Sequence, residues 1–243
     1  MSGKIYVVGL GPGGLEYLTP RAIEAITISE VVIGYKVYIN LIRDILSHKT
    51  IIKSGMKQEI DRVEKAFQMA KKGKKVALVS SGDAGVYGMA GPVCEMAERE
   101  DVEVEVIPGI TAVLAAAAGL GAPLMHDFAI ISLSDLLTPW EKILKRLHAA
   151  GEGDFIVGLY NPRSKRRKNH LRKAQEILLK YRSPDTPVGI VWKGTRYGEK
   201  KLITRLDDIP HEKVNMFATL IIGNSETYIA DGRIVTPRGY NNK

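Results

Sequence analysis

The chain has 243 residues, 45% of them hydrophobic and 26% charged, with one cysteine and a formal net charge of +8. That length and balance suit one large α/β unit or two smaller ones and exclude a collagenous, low-complexity or disulfide-stapled chain. The lone Cys94 fits a reducing cytoplasm, and the longest uncharged stretch, 109–125, carries glycines and Pro123, which argues against a membrane span.

No secretory leader is legible at the start, where a few apolar residues separate Lys4 from Gly9. Residues 4–8 read as a strand ending in Gly9-Leu10-Gly11-Pro12-Gly13-Gly14. The Gly9, Gly11, Gly14 spacing matches the dinucleotide fingerprint, but its expected helix does not begin at Gly14. Thr19 is the predicted cap, with Pro20 at the first helical position, and Glu30 precedes the second strand instead of following it. Residues 20–28 read as a helix, 31–33 as a strand and 37–46 as a helix. Ile60, Val63, Phe67 and Ala70 then fall at helical spacing, closed by Gly73.

Residues 75–80 form the next predicted strand, leading to Ser81-Gly82-Asp83-Ala84-Gly85-Val86-Tyr87-Gly88 and a helix over 88–100, where Cys94 reads as a packed core residue. A strand over 102–107 ends in Pro108-Gly109-Ile110-Thr111, and a helix starts near Thr111. Three glycine-rich turns thus follow three strands, the position at which open α/β sheets place ligand crevices.

The pattern breaks at Gly119-Leu120-Gly121-Ala122-Pro123, giving expected domains 1–118 and 119–243. In the second half, 128–132 reads as a strand and Thr138-Pro139-Trp140-Glu141 as a capping box for a helix running to Gly151. Residues 155–160 read as a strand, 169–181 as a helix and 187–192 as a strand. Antiparallel strands are expected near 200–204, 218–223 and 228–235. The basic run Arg163 to Lys168 admits three readings: a solvated loop, a nucleic-acid surface, or a site for a polycarboxylate small molecule. Aromatic residues are not interleaved with it, which weakens a stacking platform for single strands.

With these motifs in view, the chain resembles the tetrapyrrole (corrin and porphyrin) methyltransferases over essentially its whole length. The general marks are 9–13 with Leu18-Thr19, the Gly82-Asp83 turn with Tyr87-Gly88, and 107–111. Gly34-Tyr35-Lys36, Gly55-Met56-Lys57, 121–128, 132–140, Tyr160 to Ser164 and 236–240 resemble the precorrin-3B or cobalt-factor III C-17 branch. Gly14 stands where many members have aspartate, and Ala84 where many have proline.

The resemblance implies two α/β domains of the tetrapyrrole methylase type with the cofactor cleft between them, binding S-adenosylmethionine and releasing S-adenosylhomocysteine. Mapped onto this sequence, Pro12, Ser81, Gly82, Asp83, Val86, Thr111 and Ala112 are the implied donor-binding residues of the first domain; Tyr160, Asn161, Gly194, Thr195, Gly223 and Asn224 are those of the second. Asp83 also reads as a turn residue satisfying its own backbone. The implied reaction methylates C-17 of the macrocycle and contracts it to a corrin in cobalamin biosynthesis.

Direct displacement by a nucleophilic ring carbon calls for alignment more than a base. Contraction involves proton movements, for which His126 and Asp127 are the candidate pair beside the reading of a capped turn. Arg163, Lys165, Arg166, Lys36 and Lys53 are candidate clamps for the substrate carboxylates. No His/Cys cluster marks a metal site, so any cobalt would arrive within the substrate. A cytoplasmic homodimer with no nucleic-acid or membrane partner is expected. The alternatives are a same-fold methyltransferase acting on another corrin carbon or RNA, and a non-catalytic polyanion binder.

Overall fold

The computed structural model describes residues 3–240. The chain divides into two compact units, one ending at Ala112 and the other beginning at Val113. Among the described residues no helix is long and apolar enough to cross a membrane.

Unit 1 is a βα alternation: β1 Lys4–Gly9, α1 Pro20–Ile28, β2 Val31–Tyr35, α2 Lys36–Leu41, β3 Thr50–Ser54, α3 Glu59–Lys71, β4 Lys75–Ser80, α4 Ala90–Ala97 and β5 Glu103–Ile107. The five strands form an all-parallel sheet in the order β3-β2-β4-β1-β5. Strand β3 escapes the sequence reading because its run Thr50-Ile51-Ile52-Lys53-Ser54 is short and lies at an edge, where Ile51 stays exposed. Alternation sorts the strands' side chains onto two faces. Ile5, Val7, Ile33 and Leu78 pack with α3 and α4, while Tyr6, Val8, Val32 and Val79 pack with α1 and α2. Each fully buried aliphatic side chain contributes roughly 1.5–3 kcal/mol.

The expected start of α1 is observed: Thr19 Oγ1 accepts from Ala22 N at 3.1 Å, and Pro20 opens the helix. Cys94, expected in the core, is exposed because α4 buries the neighbouring Val93 and turns Cys94 to solvent.

Unit 2 takes in nearly all of α5 Ala112–Leu120, which closes on β6 Gly121–Ala122. There follow β7 Phe128–Ser132, α6 Trp140–Glu152, β8 Ile156–Tyr160, α7 His170–Leu178, β9 Pro187–Trp192, β10 Lys200–Arg205, β11 Ala218–Ile222, β12 Tyr228–Ala230 and β13 Arg233–Val235. The main sheet has the order β10-β9-β11-β8-β7; β7 and β8 run parallel, and β11 runs against both β8 and β9. The run 228–235 is a hairpin, since Asp231 and Gly232 take positive φ and turn β12 back onto β13.

Helices α6 and α7 cover one face through Ile143, Leu147, Leu171 and Leu178, and α5 covers the other. Gly158 and Gly189 lie beneath α5; a Cβ on Gly158 would stand 2.8 Å from Val113 Cγ2, so the helix sits directly on the strand backbone. The expected capping box is absent. The helix begins one residue later than that motif requires: Pro139 itself is the N-cap of α6, and it has no side-chain acceptor to offer.

Candidate functional site

In unit 1 the carboxyl ends of β4, β1 and β5 are neighbours, and their turns interlock. Helices α1 and α2 lie on one face of the sheet, α3 and α4 on the other. The chain therefore leaves β1 and β4 toward opposite faces and opens a crevice between them. Gly11 N donates to Gly82 O at 3.0 Å and Gly82 N to Gly11 O at 2.7 Å. Both glycines have φ near +70°, a region costly for a side chain. Asp83 ties the third turn: Oδ1 accepts from Gly85 N at 2.8 Å and Oδ2 from Gly109 N at 2.9 Å. Gly9 is equally constrained, because a Cβ there would lie 2.8 Å from both Gly109 N and Gly82 O.

The sequence-predicted set of unit 1 is thus brought to one end of the sheet. A Cβ on Gly82 would meet backbone atoms, Thr111 Cα at 3.8 Å, Ala112 N at 3.9 Å and Ile110 O at 4.0 Å. Backbone, with no side chain in the way, therefore faces backbone across this turn, a cradle suited to close ligand approach. Asp83 has both oxygens committed to backbone N–H groups, which is the geometry of a turn-fixing carboxylate.

In unit 2 the predicted residues separate into two groups. Tyr160, Asn161, Gly194 and Thr195 follow the carboxyl ends of β8 and β9. Gly223 and Asn224 follow β11, which runs the other way, so they lie at the opposite end beside Pro187, whose carbonyl accepts from Gly223 N at 2.9 Å. His126 and Asp127 precede β7 and share that far end, where Asp127 O accepts from Ile156 N. A five-residue strand, roughly 17 Å, separates the two groups. From sequence alone all strand ends look alike; antiparallel β11 divides them.

At the Tyr160 end, the phenol oxygen accepts from Val113 N at 2.7 Å and Asn161 Nδ2 donates to Ser132 Oγ at 2.9 Å. Asn161, Lys193 and Thr195 all take φ of 50–60°. For β-branched Thr195 this is a genuine strain, and its Oγ1 is buried without a partner. Burial pushes the Glu199 carboxyl up, but the Thr195 N–H and Lys201 more than offset this and hold it below the usual range.

At the far end, Asn224 N donates to Thr227 Oγ1 at 2.9 Å; Thr227 Oγ1 lies 2.8 Å from Thr236 Oγ1, which donates to Pro123 O at 2.8 Å. Arg182 donates to Gly223 O at 2.7 Å and to the carbonyls of Ala150 and Phe155. His126 Nδ1 accepts from Asp127 N at 3.0 Å, a local turn with the Asp127 carboxylate 3.8 Å from the ring and largely exposed.

The basic run also divides. Arg163 donates to the carbonyls of His211 and Glu212 and pairs with the Glu212 carboxylate at 2.6 Å, so its guanidinium holds a turn of its own unit. Arg167 is buried against Met216 Sδ. Lys165 and Arg166 are exposed, as are Lys36 at the head of α2 and Lys53 on β3.

The family match covers residues 4–210 and is to the tetrapyrrole (corrin/porphyrin) methylases. This chain belongs to that family. Among curated relatives, the cobalt-factor III methyltransferase of Priestia megaterium is 50% identical over 100% of the chain, which spans 46% of that longer protein. The probable cobalt-factor III C(17)-methyltransferase of Salmonella typhimurium is 51% identical over 96% of the chain and 98% of its own length. The crystal structure of the methyltransferase CobJ superposes with a TM-score of 0.92 at 37% identity, covering 97% of this chain and 100% of that one. The uroporphyrin-III C-methyltransferase of Thermus thermophilus, complexed with S-adenosylhomocysteine, gives 0.72 at 26% identity, covering 91% and 97%.

One pair in this tetrapyrrole methylase was not singled out from sequence. His170 Nε2 lies 3.2 Å from Asp135 Oδ2, its ring packed at a 52° tilt against Trp140 with centroids 4.1 Å apart, at the same end of the sheet as Asn161 and Ser132. Burial raises the Asp135 carboxyl, but His170, a backbone N–H and the Arg167 charge outweigh it and leave it below the usual range. Asp135 and Trp140 lie in the 132–140 motif, yet nothing in the spacing links them to His170.

Proposed function

We propose that the chain is an S-adenosylmethionine-dependent C-methyltransferase that methylates C-17 of cobalt-factor III or precorrin-3B, with contraction of the macrocycle, in cobalamin biosynthesis. The observation that carries this is the interlocked turn cluster of β1, β4 and β5, read together with a relative 51% identical over 98% of its own length. Bound S-adenosylmethionine supplies an electrophilic sulfonium methyl. Pro12, Ser81, Gly82, Asp83, Val86, Thr111 and Ala112 hold it in unit 1, Gly82 by exposing backbone and Asp83 by fixing the turn. In unit 2 the set is Tyr160, Asn161, Gly194 and Thr195, the last with a buried hydroxyl that has no hydrogen-bond partner. Gly223 and Asn224 are not carried into it.

The ring carbon needs no deprotonation before attack, so rate comes from alignment and exclusion of water. Proton movements of contraction fall to His170, oriented by Asp135, and not to His126 with Asp127 at the other end of the sheet. His170→Gln lowers contraction by about a hundredfold or more while methyl-donor affinity stays within a factor of about two, read by product absorption and calorimetry. A cytoplasmic homodimer is part of the same proposal. Incubation with S-adenosylmethionine and the two acceptors in parallel, followed by mass and absorption, tests it: one methyl is gained on at least one acceptor. Methyl transfer to RNA and to neither tetrapyrrole would favour the same-fold alternative.

A further inference from the structure

Beside the turn cluster, unit 1 carries an open cavity of about 140 Å³. Its lining includes Tyr35, Tyr38, Glu59, Arg62, Ser80 and Tyr87, from the carboxyl ends of β2 and β4 and from α2, α3 and the turn after β4. The space far exceeds the roughly 10–15 Å³ that one water needs, so it can admit a small polar ligand group.

Two polar residues of this lining have hydrogen-bonding capacity to spare. Arg62 is 5% exposed, and three of its N–H donors are placed: Nη1 on Ser54 Oγ at 2.7 Å and Gly55 O at 2.9 Å, Nη2 on Glu59 Oε1 at 2.9 Å. A guanidinium has five such donors, so two remain. Ser80, also 5% exposed, has a buried Oγ with no partner. A buried hydroxyl without a hydrogen bond is destabilising, and a ligand acceptor would relieve it. Around these donors stand aromatic walls, with Tyr35 and Tyr38 edge to face at 5.2 Å and 87°. Surplus donors, apolar walls and a small volume together select a short carboxylate-bearing chain: methylene against the rings, an acceptor-only head on Arg62 and Ser80. Glu59, with half its side chain exposed, screens the guanidinium and competes with such a head.

We propose that this cavity receives one carboxylate arm of the tetrapyrrole and so sets the orientation of the ring; this rests on the function proposed above. Ser81, assigned to the donor turn, lines the same cavity, so anchoring the arm here places the acceptor beside that turn.

The test is steady-state kinetics on the full chain with Ser80→Ala and Glu59→Gln. Ser80→Ala raises the acceptor KM about 2- to 10-fold with donor KM unchanged, and its Tm does not fall, because the deleted hydroxyl had no partner. Glu59→Gln lowers the acceptor KM by removing the competing carboxylate. An unchanged acceptor KM in both variants overturns the proposal. Independently of activity, propionate titrated into the wild-type protein shifts the Arg62 Nε–H resonance, and Ser80→Ala weakens that titration. Absence of methyl transfer by the wild type overturns the tetrapyrrole assignment, and absence of the propionate shift overturns the carboxylate site itself.

Discussion

Asp83 and His211 show how single side chains set conditions for the whole site. Both Asp83 oxygens accept backbone N–H groups from different turns, so Asp83→Ala strands two donors and costs about 1–3 kcal/mol by denaturant unfolding. Donor affinity falls with it, read by calorimetry. Burial, joined by the charges of Arg172 and Arg163 and opposed by Glu212, holds His211 below the usual histidine range. Its ring sits 2.7 Å from Gln175 Oε1. The folded protein therefore binds fewer protons than the unfolded chain just below the ordinary histidine value. The stability contributed by neutral His211 is fully present above about pH 6.5 and is lost as pH falls through its depressed value. Thermal melts from about pH 7.5 to 5.5 will show Tm falling, with a shallower fall in His211→Asn. Asp83 was legible as a turn residue because its neighbours are glycines. His211 was not, since its partners lie 36 and 48 residues away in sequence.

Strands and turns were the most legible level, and they also carried the main error. Glycine punctuation located the three turns that close on one another; β1, β2 and β4 were legible because a parallel strand buried on both faces must be nearly continuously hydrophobic, and β5 because its edge position gives the alternation Glu103-Val104-Glu105-Val106. Periodicity carries no strand direction, however, so Gly223 and Asn224 after β11 looked equivalent to Asn161 after β8 although the register places them a strand apart. Strand direction likewise moved the candidate acid–base pair from His126 and Asp127 to Asp135 and His170. The closeness of the three turns is directly testable. Gly109→Ala places a Cβ against Gly82 O and 2.7 Å from Gly9 O, overpacking that costs about 1–3 kcal/mol or more and lowers donor affinity. A Tm equal to wild type would show that the turns can separate.

For the whole molecule, the net charge of +8 invited a polyanion, yet Arg163 and Arg167 are engaged within their own unit and leave Lys165, Arg166 and Lys168 as the exposed remainder of the basic run. Long motif stretches carried the family from sequence alone, whereas the cavity around Arg62 could not be seen there because Ser54, Arg62 and Ser80 come from three separate elements. Regiochemistry is the point on which the proposed activity turns. With S-adenosylmethionine labelled with ¹³C in the methyl group and with cobalt-factor III and precorrin-3B as parallel acceptors, carbon NMR of the product will show a single labelled methyl attached at C-17 of at least one of them. Label on a different ring carbon, or on neither tetrapyrrole, would contradict it.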